Sequence, residues 1–113
     1  MSDFRFETSQ RGEEYVVQLF GDFDITGFKQ IDEELGRIQS DGRPIVTLDL
    51  RGLTFIDSSG IRAILRADAR ARALGRRLRL IAGPERVHKV FRITRLDNQL
   101  EFVEPDLEFV EPD

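Results

Sequence analysis

The residues of this sequence that could do chemistry are concentrated in the stretch FIDSSG, residues 55–60. A carboxylate, Asp57, is followed there by two hydroxyls, Ser58 and Ser59, and by Gly60. A serine hydroxyl can act as a nucleophile or receive a phosphoryl group from another protein. Aspartate and serine oxygens can also cap a helix, because they accept hydrogen bonds from the unpaired N–H groups at its start. Catalysis, modification and capping are therefore the three roles to compare.

Catalysis by Ser58 or Ser59 would require a general base within hydrogen-bond reach, usually a histidine. The only histidine, His88, lies thirty residues after Ser58, in a segment whose other features are structural. The sequence has no G-x-S-x-G motif and no glycine-rich phosphate loop. One histidine and no cysteine also offer few metal ligands. We therefore predict a protein that is not an enzyme and that uses no metal and no cofactor.

Asp57 could itself accept a phosphoryl group, as the acceptor aspartate of receiver domains does at the end of a central strand of an α/β fold. Receiver domains also need an acidic pair after the first strand and a lysine after the last strand. Here the first predicted strand ends in ETSQ, and no lysine follows Lys89. Helix capping by Asp57 or Ser58 contributes about 1 kcal/mol. Capping explains one residue of the stretch, but not two hydroxyls before a glycine.

The composition is that of a soluble globular protein with a single domain. Of its 113 residues, 40% are hydrophobic and 34% are charged, which is too apolar a mixture for a disordered chain. No apolar run approaches the roughly 18 residues that a membrane span needs, and the N-terminus has no signal-peptide pattern. The absence of cysteine is compatible with a reducing compartment. These properties predict a cytoplasmic protein without a membrane partner.

A block of basic residues lies within a chain whose net charge is −4. Residues 62–95 contain 11 lysines or arginines and only two acids, a pattern that could bind nucleic acid. However, Arg62, Arg66 and Arg70 recur at the four-residue spacing of one helix face, and no aromatic residues are interleaved among them. We interpret these three as a solvated helix face and predict no nucleic-acid partner.

The periodicity of apolar residues predicts five strands and three helices. Two short β-rich segments joined by a turn begin the chain and predict an antiparallel hairpin. The predicted strands are 3–9, 15–21, 45–50, 77–82 and 100–104. The residues predicted to point inward are Phe28, Ile31, Leu35 and Ile38 in the first helix, Ile61, Ile64, Leu65 and Ala71 in the second helix at about 59–74, and Val87, Val90 and Phe91 in the third helix. Pro84 is predicted to be the first residue of that third helix. The order β-β-α-β-α-β-α-β predicts an α/β fold with a mixed, mostly parallel sheet and helices mainly on one face.

The heptad LEFVEPD at 100–106 is repeated without change at 107–113. Solenoid repeats are at least about twenty residues long, so we interpret this repeat as a tandem duplication. Two identical heptads compete for one place at the end of the sheet. We predict a domain at 1–106, with 107–113 outside the core fold or paired with a neighbouring molecule.

The segment IVTLDLRGLTFIDSSGIRAIL, residues 45–65, resembles the signature of the STAS domains of bacterial anti-sigma factor antagonists. That signature consists of a strand and a short link, then two apolar residues, then Asp-Ser-(Ser or Thr)-Gly, and finally the apolar start of a helix. Residues 55–61 match it position by position. The segment LFGDFDITG resembles the family's Gly–Glu–Leu–Asp segment and places Asp24 on its characteristic aspartate. Residues 85–103 resemble the closing helix and strand. The resemblance implies a STAS domain over nearly the whole chain.

The resemblance also implies a switch at Ser58. In that family the serine directly after the aspartate is phosphorylated by a partner anti-sigma factor, which is a serine kinase. The unphosphorylated antagonist binds the anti-sigma factor and frees the sigma factor, phosphorylation ends the binding, and a serine phosphatase resets the antagonist. The implied partner-binding surface consists of Asp24, Asp57, Ser58, Ser59, Gly60 and Arg62.

Arg62 stands where sporulation-type members of the family often carry a small residue. Four residues after Ser58, it could pair with a phosphate, contact a partner, or point to solvent, which is the default. The family also includes scaffolds and cytoplasmic subunits of transport or signalling complexes, and in such a role Ser58 would not be a regulated switch. No oligomeric state is predicted.

Overall fold

The computed structural model describes residues 3–105, in which strands and helices alternate in the predicted order. The strands are β1 (Arg5–Arg11), β2 (Glu14–Phe23), β3 (Ile45–Ile56), β4 (Arg77–Ile81) and β5 (Glu101–Phe102), and the helices are α1 (Ile25–Gln39), α2 (Ser58–Ala73) and α3 (Glu85–Ile93), with a 3-10 turn at Leu96–Asn98. The predicted order β-β-α-β-α-β-α-β is therefore confirmed. The duplicated heptad 107–113, predicted to stay outside the core, lies outside the described residues.

One five-stranded sheet has the strand order β1-β2-β3-β4-β5. The first two strands are antiparallel, and every later pair is parallel. Gly12 closes the hairpin with a positive φ of 59°, a conformation that costs glycine little because it has no Cβ. The mixed, mostly parallel sheet is thus confirmed. The parallel pairing of β2 with β3 matters for function, because it brings the carboxyl ends of these strands to the same edge.

All three helices pack on one face of this sheet. Leu80 of β4 is buried in a single apolar cluster with Ile31 of α1, Ile64 of α2 and Phe91 of α3. Successive strand residues alternate between faces, and Arg79, the neighbour of Leu80, lies outside that cluster. The prediction that the helices cover mainly one face is confirmed.

The length of β3 differs from the prediction. The sequence placed this strand at 45–50 and regarded the next residues as a link, whereas the structure continues it through Ile56. Two register irregularities against β2, between Gln18 and Phe20 and between Gly21 and Asp22, let the pairing continue past Gly52. Bulges of this kind leave little trace in apolar alternation, which explains the early predicted end.

Smaller boundary differences occur at the other strands and at two helices. Strands β1, β2 and β4 differ from the predicted 3–9, 15–21 and 77–82 by one or two residues at one or both ends. Helix α2 begins at Ser58, one residue before its predicted start. Pro84 is the residue before α3 and not its first helical residue. Strand β5 contains only Glu101–Phe102 and not the predicted five residues, although the Val103 N–H still donates to the Leu80 carbonyl at 2.8 Å.

Helices α1 and α2 are joined by polar contacts from two members of the arginine stripe, which consists of Arg62, Arg66 and Arg70. The buried Gln39 side chain donates to the Ala67 carbonyl at 2.7 Å and accepts from Arg70 Nε at 2.9 Å. Arg66 Nε donates to Asp32 Oδ1 at 2.9 Å. The predicted solvated face is therefore partly an interhelical contact, because Arg66 and Arg70 bind α1.

The contact between Arg66 and Asp32 predicts a displaced titration. The hydrogen bond and charge of Arg66 lower the pKa of the Asp32 carboxyl below its ordinary value, which is about 3.9 in unfolded chains. The stabilisation is therefore present above the unfolded pKa and is lost as pH falls through the folded one. In a carboxyl NMR titration, we expect Arg66→Gln to raise the pKa of Asp32 and Arg62→Gln to leave it unchanged. An Asp32 that titrates at its ordinary value in the wild type contradicts this account.

Candidate functional site

The candidate site is the edge where two helices begin side by side. Strands β2 and β3 end together, with Phe23 opposite Ile56. Each strand is followed at once by an aspartate and a helix, Asp24 before α1 and Asp57 before α2. The Asp57 N–H donates to the Phe23 carbonyl at 3.2 Å, which ties the two segments together. The chain from Ile56 to Gly60 is called the elbow below.

Both aspartates cap their helices in the same way. One carboxylate oxygen of Asp57 accepts from the Ser59 N–H at 2.8 Å and from the Gly60 N–H at 3.3 Å. The carboxylate of Asp24 accepts from the corresponding N–H groups of its own helix at 3.0 and 3.4 Å. The capping role that the sequence assigned to Asp57 or Ser58 therefore belongs to Asp57. The Ser58 side chain is left for another role.

The two caps repeat one short pattern, Asp-x-x-Gly, at 24–27 and 57–60. A Cβ atom at Gly60 would lie 2.6 Å from the Phe23 carbonyl oxygen, and one at Gly27 would lie 2.9 Å from Phe23 Cδ1. Both glycines thus let a helix start pack closely on the buried Phe23. Sequence reasoning singled out Asp24 and Asp57 separately and did not note that their two segments repeat one pattern.

Ser58 and Ser59 have different environments. Ser58 is the first residue of α2 and is exposed, whereas Ser59 is half-buried and Gly60 is buried. In residues 3–105 no other group is hydrogen-bonded to the Ser58 hydroxyl. The same holds for the Ser59 hydroxyl within the described residues, so the two serines differ in exposure and Ser58 is the accessible one.

The only histidine belongs to a different part of the domain. His88 of α3 packs against Phe102, with ring centroids 4.9 Å apart. It lines a cavity of about 320 Å³ together with Arg51, Phe102 and Glu104, and no elbow residue lines that cavity. Across residues 3–105 no cluster of three or more His, Cys, Asp or Glu side chains is suited to hold a metal ion.

Several exposed apolar side chains belong to the segments that meet at this edge or to the helix that starts there. Ile25, the first residue of α1, is 52% exposed, and Phe55, near the end of β3, is 49% exposed. Leu65 is 38% exposed and follows Ser58 by seven residues, which places both on one face of α2. The prediction that Leu65 points inward is wrong, because the inward positions are taken by Ile64 and the neighbouring alanines. We call Ile25, Phe55, Ser58 and Leu65 the elbow surface.

Arg62 lies beside this surface and reaches across to α1. Its guanidinium carbon is 5.4 Å from the centre of the Phe28 ring, and that of Arg66 is 5.9 Å away. Arg62 is exposed, as the default interpretation expected, but it is in contact with an aromatic ring. The structure thus brings five of the six predicted site residues together at the two caps and places Arg62 one turn along α2.

Within the part of the chain that the structure describes, no helix is long and apolar enough to cross a lipid bilayer. The described fold is a small α/β domain with an exposed serine at a capped strand-to-helix elbow. The family model described as Mlab, STAS domain, matches residues 6–105. The chain belongs to the STAS domain family.

Solved structures that resemble this chain include anti-sigma factor antagonists. The antagonist from Mycobacterium paratuberculosis is 19% identical, with a TM-score of 0.80, and the match covers 94% of this chain and 89% of that one. The antagonist SpoIIAA in its unphosphorylated form is 26% identical, with a TM-score of 0.77 and coverage of 94% and 90%. The Bacillus cell fate determinant SpoIIAA in its phosphorylated form is 25% identical, with a TM-score of 0.71 and coverage of 94% of both chains. The comparison with curated proteins gave no significant match.

Proposed function

We propose that this chain is an anti-sigma factor antagonist that binds an anti-sigma factor serine kinase and is switched off by phosphorylation of Ser58. The observation that carries the proposal is the Ser58 hydroxyl, which is exposed and has no hydrogen-bond partner within residues 3–105. The comparisons support it, since SpoIIAA, an anti-sigma factor antagonist similar to this chain, exists in unphosphorylated and phosphorylated forms.

The elbow surface is suited to binding a protein partner. Ile25, Phe55 and Leu65 expose apolar side chains on the segments that adjoin the two caps, and exposed apolar area commonly marks protein interfaces. A partner that covers these side chains also covers Ser58. Binding and modification therefore use the same surface.

A phosphate on Ser58 would change this surface without unfolding the domain. It adds about −1.5 to −2 charges at neutral pH. At the start of a helix such a charge is favoured by roughly 0.3–1 kcal/mol. The negative charge nearest to this phosphate along the chain is the carboxylate of Asp57. A partner whose surface is complementary to the unmodified elbow therefore meets both added bulk and added negative charge after phosphorylation. Like-charge contacts across an interface cost several kcal/mol.

The cycle follows from this difference. The unphosphorylated chain holds the anti-sigma factor, so that the sigma factor is free. The kinase activity of the same partner then phosphorylates Ser58 and releases the chain, and a serine phosphatase restores the hydroxyl. The cycle takes place in the cytoplasm. The chain supplies no catalytic group in it, and its part is binding.

Mass spectrometry of the chain recovered from its native cell tests the modification. Trypsin cleaves after Arg51 and Arg62 and releases the peptide 52–62, which contains both serines. We expect phosphate on Ser58 and not on Ser59, because Ser59 is half-buried. Ser59→Ala is the matched control and should keep the phosphate, whereas Ser58→Ala should lose it.

The same preparations test the partner. A serine kinase should be recovered with Ser58→Ala and depleted with Ser58→Glu. A peptide that stays unmodified under all growth conditions, with partners that do not differ between the two variants, would contradict the proposal. That result would favour an unregulated scaffold or a cytoplasmic subunit of a transport or signalling complex.

A further inference from the structure

We propose that Arg62 binds the phosphate on Ser58, and that in doing so its guanidinium leaves the Phe28 ring and uncovers it. The ligand class is a phosphomonoester dianion attached to this chain. The inference rests on the proposed function in taking Ser58 as the modified residue. Its test installs the phosphate without a kinase, so the inference about Arg62 and the proposed function can fail independently of each other.

Spacing places Arg62 within reach of that phosphate. Ser58 is the first residue of α2 and Arg62 is the fifth. Residues four apart are neighbours on one helix face, and a pair is more favourable when the anion precedes the cation. A phosphate on Ser58 and the guanidinium of Arg62 meet both conditions.

Arg62 is also the member of the arginine stripe that is not engaged in an ion pair within residues 3–105 and can therefore bind a phosphate. Arg66 and Arg70 are both paired with Asp32 of α1. In residues 3–105 no carboxylate lies within ion-pair distance of Arg62, and its guanidinium lies over the Phe28 ring. The guanidinium therefore gives up only a contact with an uncharged ring when it turns toward a phosphate.

The exchange favours the phosphate. A guanidinium can donate two parallel hydrogen bonds to phosphate oxygens, and such charge-assisted bonds are roughly twice as strong as neutral ones. An exposed cation–π contact offers the guanidinium neither a hydrogen-bond acceptor oxygen nor a formal negative charge. A dianion one helix turn away therefore competes successfully with the ring.

The consequence is a change in shape as well as in charge. Phe28 is half-buried beneath Arg62 and Arg66. When the Arg62 guanidinium departs, only one of these two guanidinium groups, that of Arg66 at 5.9 Å from the ring centre, still lies near the ring. The phosphorylated domain would then differ from the unphosphorylated domain on α1 also, although no residue of α1 is modified.

Phosphoserine incorporated at position 58 during translation provides the test. We expect the second pKa of this phosphate, read by phosphorus NMR, to rise by about 0.2–0.7 unit in Arg62→Gln, the size that one exposed ion pair produces. Arg66→Gln is the matched control, since it removes an arginine from the same ring but eight residues from Ser58. It should leave the phosphate pKa unchanged.

A second readout follows the ring. The side-chain protons of Arg62 should lose the ring-current shift from Phe28 when position 58 carries phosphoserine and keep it when position 58 is serine. Equal phosphate pKa values in the wild type and Arg62→Gln would overturn the inference. An equal rise in Arg66→Gln would overturn it too, because the effect would then be general charge and not a bound guanidinium.

Discussion

Ser58→Glu is expected to bind the cognate anti-sigma factor at least about tenfold more weakly than the unphosphorylated wild type, since each 1.4 kcal/mol of repulsion lowers affinity tenfold. Glutamate brings about one negative charge, whereas phosphate brings about 1.5 to 2, so phosphoserine should weaken binding further. Ser58→Ala removes only a hydroxyl that has no partner within residues 3–105. It should bind as tightly as the unmodified wild type and should be immune to the kinase.

Calorimetric titration of the four forms against the purified anti-sigma factor measures this series. Ser9→Glu is a matched control, because it adds the same charge on an exposed strand position near the hairpin turn, at the opposite end of β2 from the elbow. It should bind like the wild type. Indistinguishable affinities for Ser58→Ala, Ser58→Glu and wild type would reject the switch and leave Ser58 as an ordinary first residue of α2.

Gly60→Ala is expected to destabilise the domain by about 1–3 kcal/mol, the usual cost of forcing atoms into a filled core. A Cβ at this position would lie 2.6 Å from the Phe23 carbonyl oxygen and 2.8 Å from Ile56 Cγ1. The first neighbour is backbone, so it can yield only if the two strand ends separate. The elbow should therefore loosen where Asp57 caps α2.

Gly36→Ala makes the same substitution inside α1 and should have the opposite sign. The nearest atom to a Cβ there is Arg70 Nε at 3.7 Å, an ordinary contact with a flexible side chain. Alanine at an unobstructed helix position is favoured over glycine by roughly 0.5–1 kcal/mol. Urea unfolding of both variants measures the pair. Equal stability changes would show that the close approach at Gly60 is not real.

The elbow could be predicted from the sequence because the residues that define it are close together along the chain. The apolar run before Asp57, the capping chemistry of Asp57 and the apolar helix after Gly60 all lie within twenty residues. The order of strands and helices along the chain followed from the apolar periodicity, and one-sided coverage followed from the amphipathic first strands, whereas the order of the strands within the sheet was not predicted. The shared edge at Asp24 and Asp57 then required only that β2 and β3 be parallel neighbours.

The features that were missed depend on contacts between distant segments. The extent of β3 depends on irregularities in its pairing with β2, which the sequence of β3 alone does not encode. Leu65 has an apolar side chain at a helical spacing that suits burial, yet within residues 3–105 it remains 38% exposed. The position of Arg62 over Phe28 requires the spacing between α1 and α2 to be known. Apolar periodicity reports the character of a face, but not which element covers it.

The sheet is ordered as the chain is ordered, from β1 to β5. During synthesis on the ribosome, each strand after the first therefore emerges when the strand it pairs with has already been made. The most recently made strand is always an edge strand of the sheet. Within residues 3–105, β5 is an edge strand of the sheet. A duplication that follows β5 in the sequence, as 107–113 does, therefore inserts no residues between two paired strands. The same seven residues inserted into β3 would divide β2 from β4.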